Sequence, residues 1–175
     1  MKTCFTICSN NYLAQAKTLG DSLLRHNSDY QFIICLVDEY SEEIDYSFFQ
    51  PHKIILAKDI GIENFDDLCK KYDIIELNTS VKASFFKYIF SKYKNTDFDP
   101  DIMIFNSLNT LENEFRNNDI LLTTHINTPI NFDEFRPNEN VFLNYGIYNL
   151  GFLGLRRSEE TFSLLDWWEE RLLNY

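Results

Sequence analysis

Two carboxylates one residue apart, Asp99 and Asp101 with Pro100 between them, are the residues whose types and spacing most directly suggest chemistry. Proline fixes part of the turn, and two such side chains can present oxygen ligands to one hard divalent cation, Mg2+ or Mn2+. A cation held this way neutralises a diphosphate and helps it leave. In an acidic chain the same triplet also arises as a solvated turn. A phosphatase-type nucleophilic aspartate pair shares the spacing, but it wants an apolar strand in front and Thr or Val two positions after the second Asp. Here Asn95, Thr96, Asp97 and Phe98 precede, and Met103 takes the later position, so that chemistry fits poorly.

The elements that must position these residues alternate between apolar runs and helical patterns. Cys4 to Cys8 reads as a buried strand, and Asn10 or Asn11 is placed to cap a helix that turns Leu13, Ala16, Gly20, Leu23 and Leu24 to one face. Residues 32–37 are a near-continuous aliphatic run, as in strands buried on both faces, and the strand-helix-strand spacing predicts a parallel pair. A third strand is expected over 53–57, a helix over 63–72 and an extended piece over 74–77. Thr79 or Ser80 should then cap a helix burying Val81, Phe85, Phe86, Ile89 and Phe90, with Lys82 and Lys87 off its apolar stripe. Residues 102–105 and 120–122 look strand-like, with a short helix between them capped by Ser107. A long loop over 127–144 is expected to be functional, and a last strand over 148–155 leads into a closing helix bearing Phe162, Leu165, Trp168 and Leu172. The pattern predicts a single α/β sandwich domain over 1–175 with a mostly parallel sheet, whose ligands sit beyond the carboxyl ends of the strands.

Several segments together, in order along the chain, resemble a group of bacterial glycosyltransferases of the nucleotide-diphospho-sugar transferase superfamily. They are Val81-Lys82-Ala83-Ser84-Phe85-Phe86-Lys87-Tyr88, Asp99-Pro100-Asp101-Ile102, Leu121-Leu122-Thr123-Thr124-His125 with Pro129-Ile130, and above all Tyr148-Asn149-Leu150-Gly151-Phe152 through Asp166-Trp167-Trp168. The resemblance implies a GT-A fold (a Rossmann-like α/β/α sandwich) and transfer of a sugar from a UDP- or GDP-sugar to an acceptor. It implies Mn2+ or Mg2+ on Asp99 and Asp101, with Asp101 the more direct ligand. By the same analogy Thr6, Ser9, Asn10 and Asn11 border the base and ribose, Asp38 faces the same pocket, and Lys82 or Lys87 approaches the phosphates. Asn149 and Gly151 line the sugar and acceptor side, and His125 is a further candidate there.

Residues 94–98 are polar where that family has a hydrophobic strand, and the family continues beyond the position of Tyr175. The chain is therefore expected to be most of a larger domain without its last part. A non-catalytic nucleotide-sugar-binding or interaction module is the alternative from a different class. An inverting mechanism would need a carboxylate base, for which Asp133, Glu134 and Glu139 are candidates by location alone.

Bulk composition bounds all of this. The 175 residues suffice for one sizeable core, and 45% hydrophobic with 16% aromatic residues is too apolar for a disordered acidic tail. A net charge of −11 argues against nucleic acid but leaves room for a local pocket for one small anion. Cys4, Cys8, Cys35 and Cys69 form no metal-ligand pattern and are expected to be buried free thiols. His26 and His52 are expected at the surface or in loops, and one of Trp167 and Trp168 should pack while the other stays half exposed. No run approaches a membrane span, so a cytoplasmic location is expected, with peripheral membrane contact left open.

Overall fold

The computed structural model describes residues 2–92, 102–133 and 135–174. Three parallel strands, β1 (Lys2–Cys8), β2 (Tyr30–Leu36) and β3 (Lys53–Leu56), lie side by side in that order, with Lys2 opposite Tyr30 and Ile33 opposite Lys53. The helix α1 (Leu13–His26) makes the crossover from β1 to β2. Its first residues are not capped by Asn10 or Asn11 as the sequence suggested. Asn10–Tyr12 instead form a 3-10 turn, and Tyr12 precedes the helix without a side-chain cap.

Alternation along the strands divides the core in two. Cys4, Cys8, Phe32, Ile34 and Leu36 pack under Leu13, Ala16, Leu19 and Leu23 of α1. Phe5, Ile7, Ile33 and Cys35 face the opposite way, onto α4 (Lys82–Lys92) and α7 (Glu159–Asn174). There Phe5 meets Phe85 and Phe86 edge-on at 4.7 and 4.9 Å. Full burial of a phenylalanine is worth about 1.5–3 kcal/mol, so this cluster is a principal source of stability.

Between β3 and α4 lie two short helices, α2 (Phe65–Lys71) and α3 (Ile74–Ser80). The sequence suggested an extended piece at 74–77 and a helix start at Thr79 or Ser80. The β-branched pair Ile74-Ile75 favours a strand, but Asp73 and Glu76 form a capping box that starts a helix at Ile74. Asp73 Oδ1 accepts from the amides of Ile75 and Glu76 at 2.8 Å, and Glu76 returns a bond to the Asp73 amide. Thr79 and Ser80 lie inside this helix.

Residues 102–105 join no strand ladder. They are anchored to α1 instead: the Ile104 amide donates to Ser22 Oγ at 3.0 Å, and the Leu108 amide donates to Asn27 Oδ1 at 2.8 Å. Next comes α5 (Asn109–Glu114), preceded by Leu108, with Ser107 Oγ accepting from the Asn109 amide. The three-stranded sheet is parallel as expected, and β4 (Ile120–Thr124) and β5 (Tyr148–Leu155) form a separate antiparallel pair. Between them α6 (Glu139–Tyr145) occupies part of the segment expected to be loop; none of its residues is buried, so its sequence shows no apolar period.

His52 lies in the turn before β3, as a loop histidine, but not at the surface. Its side chain is fully enclosed, its Nε2 lies 2.8 Å from Asp21 Oδ1, and its ring meets Phe32 edge-on. Gly20 makes room for it. The remaining single-residue expectations divide: Trp167 is half exposed while Trp168 packs on the core, and Cys69 is exposed whereas Cys4, Cys8 and Cys35 are buried, none of the four in a disulfide. Among the described residues no helix is long and apolar enough to cross a membrane.

Candidate functional site

At the carboxyl end of β1 the chain leaves the sheet through Cys8 and Ser9 and opens a cavity of about 280 Å3. Ser9, Tyr12 and Gln15 form one wall, α3 contributes Ile75, Asn78 and Thr79, α4 adds Lys82, and Gly151 of β5 comes in from the far side. No carboxylate is among these lining residues, although the chain carries −11. Hydroxyl, amide and ammonium groups at the end of a parallel sheet suit a small polar or anionic ligand. A larger hollow of about 630 Å3 beside β4 is walled mainly by isoleucine and leucine, and its one charged member is Glu114.

Three residues singled out from the sequence meet here: Ser9, Lys82 and Gly151. Lys82 is buried, with 7% of its surface exposed, rather than solvated at the edge of its helix. Gly151 reaches the cavity because β5 bulges. Leu122 pairs with Leu153 and Thr123 with Asn149, so Leu150, Gly151 and Phe152 stand against no residue of β4. Asn149 stabilises the bulge, its Oδ1 accepting from the Gly151 amide at 2.6 Å. A Cβ on residue 151 would come within 2.8 Å of that oxygen, so a larger residue would have to displace the Asn149 side chain.

The others lie elsewhere. Thr6 is buried within β1, its Oγ1 without a hydrogen-bond partner, and does not line the cavity. Asn11 is exposed and accepts from Ser9 Oγ at 2.5 Å, and Asn10 and Asp38 bond to one another behind the cavity wall. Lys87 is five residues from Lys82, about 140° around the helix, and so faces α7 rather than the cavity. There its ammonium lies 2.7 Å from Asp166 and 2.5 Å from Glu169, while Ser84 also donates to Glu169. Burial pulls the Lys87 pKa down, but the hydrogen bonds to Asp166 and Glu169 prevail and hold it above the ordinary lysine value. His125 is exposed beside the Phe142 ring.

Of the proposed bases, Asp133 accepts from the Phe135 amide and Glu139 from the Ile130 amide, both within their own loop. Glu134, Asp99 and Asp101 lie outside the described residues. Among the described residues no group of three or more His, Cys, Asp or Glu side chains is placed to hold a metal. Sequence reasoning missed Tyr12, Gln15, Asn78 and Thr79. The last two were hidden by reading 74–77 as extended, and the Asp73-to-Glu76 capping box is the signal that finds them.

Solved structures share the fold. LgtC, a galactosyltransferase crystallised with donor and acceptor sugar analogues, superposes with a TM-score of 0.53 at 16% identity, over 99% of this chain and 66% of its own. GlyE, a glycosyltransferase of Streptococcus pneumoniae TIGR4, superposes with a TM-score of 0.52 at 18% identity, over 99% of this chain and 40% of its own. The chain has a GT-A fold. It spans about two thirds of the length of LgtC and two fifths of that of GlyE. No protein-family model matches the sequence, and no curated protein matches it by sequence.

Proposed function

We propose that this GT-A chain binds a nucleotide-diphospho-sugar in the cavity beyond β1 and serves a glycosyltransferase that passes the sugar to an acceptor hydroxyl. The observation that carries the reading is a cavity at the carboxyl end of a parallel sheet, walled by Ser9, Tyr12, Asn78, Thr79 and Lys82, with no carboxylate among the described lining residues of a strongly acidic chain. Tyr12, half exposed at its rim, offers a flat face for a nucleobase. The buried ammonium of Lys82 suits a phosphate, and Gly151 lets a sugar ring approach the backbone. LgtC and GlyE, named as glycosyltransferases, support the same reading.

Metal dependence belongs to this proposal, with Asp99 and Asp101 as ligands of Mn2+ or Mg2+. Bound there, the metal would neutralise charge on the departing diphosphate. The chain's own residues hold base, phosphate and sugar in line for attack.

The test is thermal stabilisation by UDP, GDP and their sugars with and without Mn2+, repeated on Asp101→Ala. A nucleotide at a hundred times its Kd adds about 2.7 kcal/mol, and the Mn2+-dependent part should vanish in the variant. A chain that no nucleotide stabilises would end the proposal. Binding without hydrolysis or transfer of any donor would make it a non-catalytic module.

A further inference from the structure

The turn after β1 is gripped from behind by a loop that does not line the cavity. Asn10 sits in this turn between the two lining residues Ser9 and Tyr12, and every polar group of its side chain is occupied. Its Nδ2 donates to the Glu39 carbonyl at 3.0 Å and its Oδ1 accepts from the Tyr46 hydroxyl at 2.7 Å, while its backbone amide donates to Asp38 Oδ2 at 2.5 Å. The Tyr46 oxygen also accepts from the Ser41 amide at 3.0 Å, closing residues 38–46 around Asn10. The Tyr46 ring is set edge-on to Tyr40 at 4.5 Å and lies against Phe49, which is buried in the core under α1. Glu39 is tied in turn to Lys58.

This wiring separates two roles that the sequence merges. Asn10 has both ends of its amide bonded to the protein and does not line the cavity, so its part is to shape the wall. Ser9 and Tyr12 present the wall, joined by the Tyr12 amide donating to the Ser9 carbonyl at 2.9 Å. Tyr12 is 49% exposed, so its backbone position is set by the turn rather than by burial of its ring.

We infer that Tyr46 is a positioning residue for the nucleotide end of the cavity, acting through Asn10 to hold Ser9 and Tyr12 in their binding geometry. The inference rests on the nucleotide-sugar reading above. It assigns a role to a residue outside the cavity, on a different loop, whose hydroxyl touches no ligand.

Isothermal titration of UDP and GDP in Mn2+ tests it on the wild-type chain, Tyr46→Phe, Asn10→Ala and the double variant. Tyr46→Phe keeps the ring and removes the hydroxyl. It should weaken the nucleotide that wild type binds by about tenfold, the size of one hydrogen bond, and move Tm by no more than about 2 °C. The double variant should bind no more weakly than Asn10→Ala alone, because both substitutions cut the same connection. Wild-type affinity in Tyr46→Phe, or losses that multiply in the double variant, would overturn the inference while leaving the site intact. A Tm that collapses together with affinity in Tyr46→Phe would make Tyr46 a structural residue and overturn it as well. Wild type binding neither nucleotide would be the distinct failure of the nucleotide-sugar reading, and this inference would fall with it.

Discussion

The strands β2 and β5 have similar apolar sequences, YQFIICL and YNLGFLGL, yet they live in different surroundings. In β2 every residue but Gln31 is buried, because α1 covers one face and α4 the other. In β5 Tyr148 is 54% and Leu150 39% exposed, and only the end from Leu153 to Leu155 is buried. Its partner β4 has no buried residue, and Leu122 is 41% exposed. Apolar β-forming residues decide that a segment becomes a strand. What packs on its two faces decides how much that strand contributes to stability.

The comparison can be broken most directly at the two extremes. Phe85→Ala removes a fully buried ring from the contact with Phe5 and should cost about 3–5 kcal/mol in urea unfolding. An equal loss from Leu122→Ala would mean that the β4–β5 pair is as well covered as the parallel sheet; the expected change there is within about 0.5 kcal/mol. Gly20→Ala comes next in size. Alanine is the better helix former by about 1 kcal/mol, but its Cβ would lie 2.5 Å from the Phe32 ring and 2.7 Å from His52. Overpacking of that kind should leave a net loss of about 1–3 kcal/mol. Asp73→Ala removes both amide bonds of the α3 cap and should cost about 1 kcal/mol.

The smallest effect is a pH slope. Burial lowers the His52 pKa below its ordinary 6.5, opposed by the hydrogen bond to Asp21, and Nδ1 has no partner for a second proton. The unfolded chain therefore binds this proton more readily than the folded one. Stability is complete above pH 6.5 and declines as pH falls through 6.5 toward the folded value. At Asp21 burial raises the pKa, but hydrogen bonds from Lys17 and His52 outweigh it and hold the carboxyl below 3.8, so its contribution is lost only at lower pH. His52→Gln should flatten the decline between about pH 7 and 5 in urea midpoints; an unchanged slope would place the titrating group elsewhere.

Legibility from sequence followed the same division. β1, β2 and the Phe85–Phe90 stripe were readable because burial on known faces imposes a period. Helix α6 was not, because an exposed helix need not carry one. α3 was misread because two isoleucines outweighed a four-residue cap, and with α3 went half of the cavity wall. Ser9 could be placed from its position at the end of β1, whereas Lys82 and Gly151 were pointed to by the family resemblance alone. The bulge that delivers Gly151, the partners that turn Lys87 away and the enclosure of His52 depend on neighbours distant in the chain.

That no carboxylate lines the cavity among the described residues has a kinetic consequence for the proposed nucleotide. A nucleotide approaching this protein meets the field of a −11 chain and is repelled within about a Debye length of its surface, about 8 Å at physiological salt. Among the described residues, the cavity offers it Lys82 and neutral groups. Added salt therefore screens the repulsive approach more than the short-range hold. Stopped-flow association of a free nucleotide should quicken with ionic strength while dissociation changes little, the reverse of what an electrostatically steered site shows.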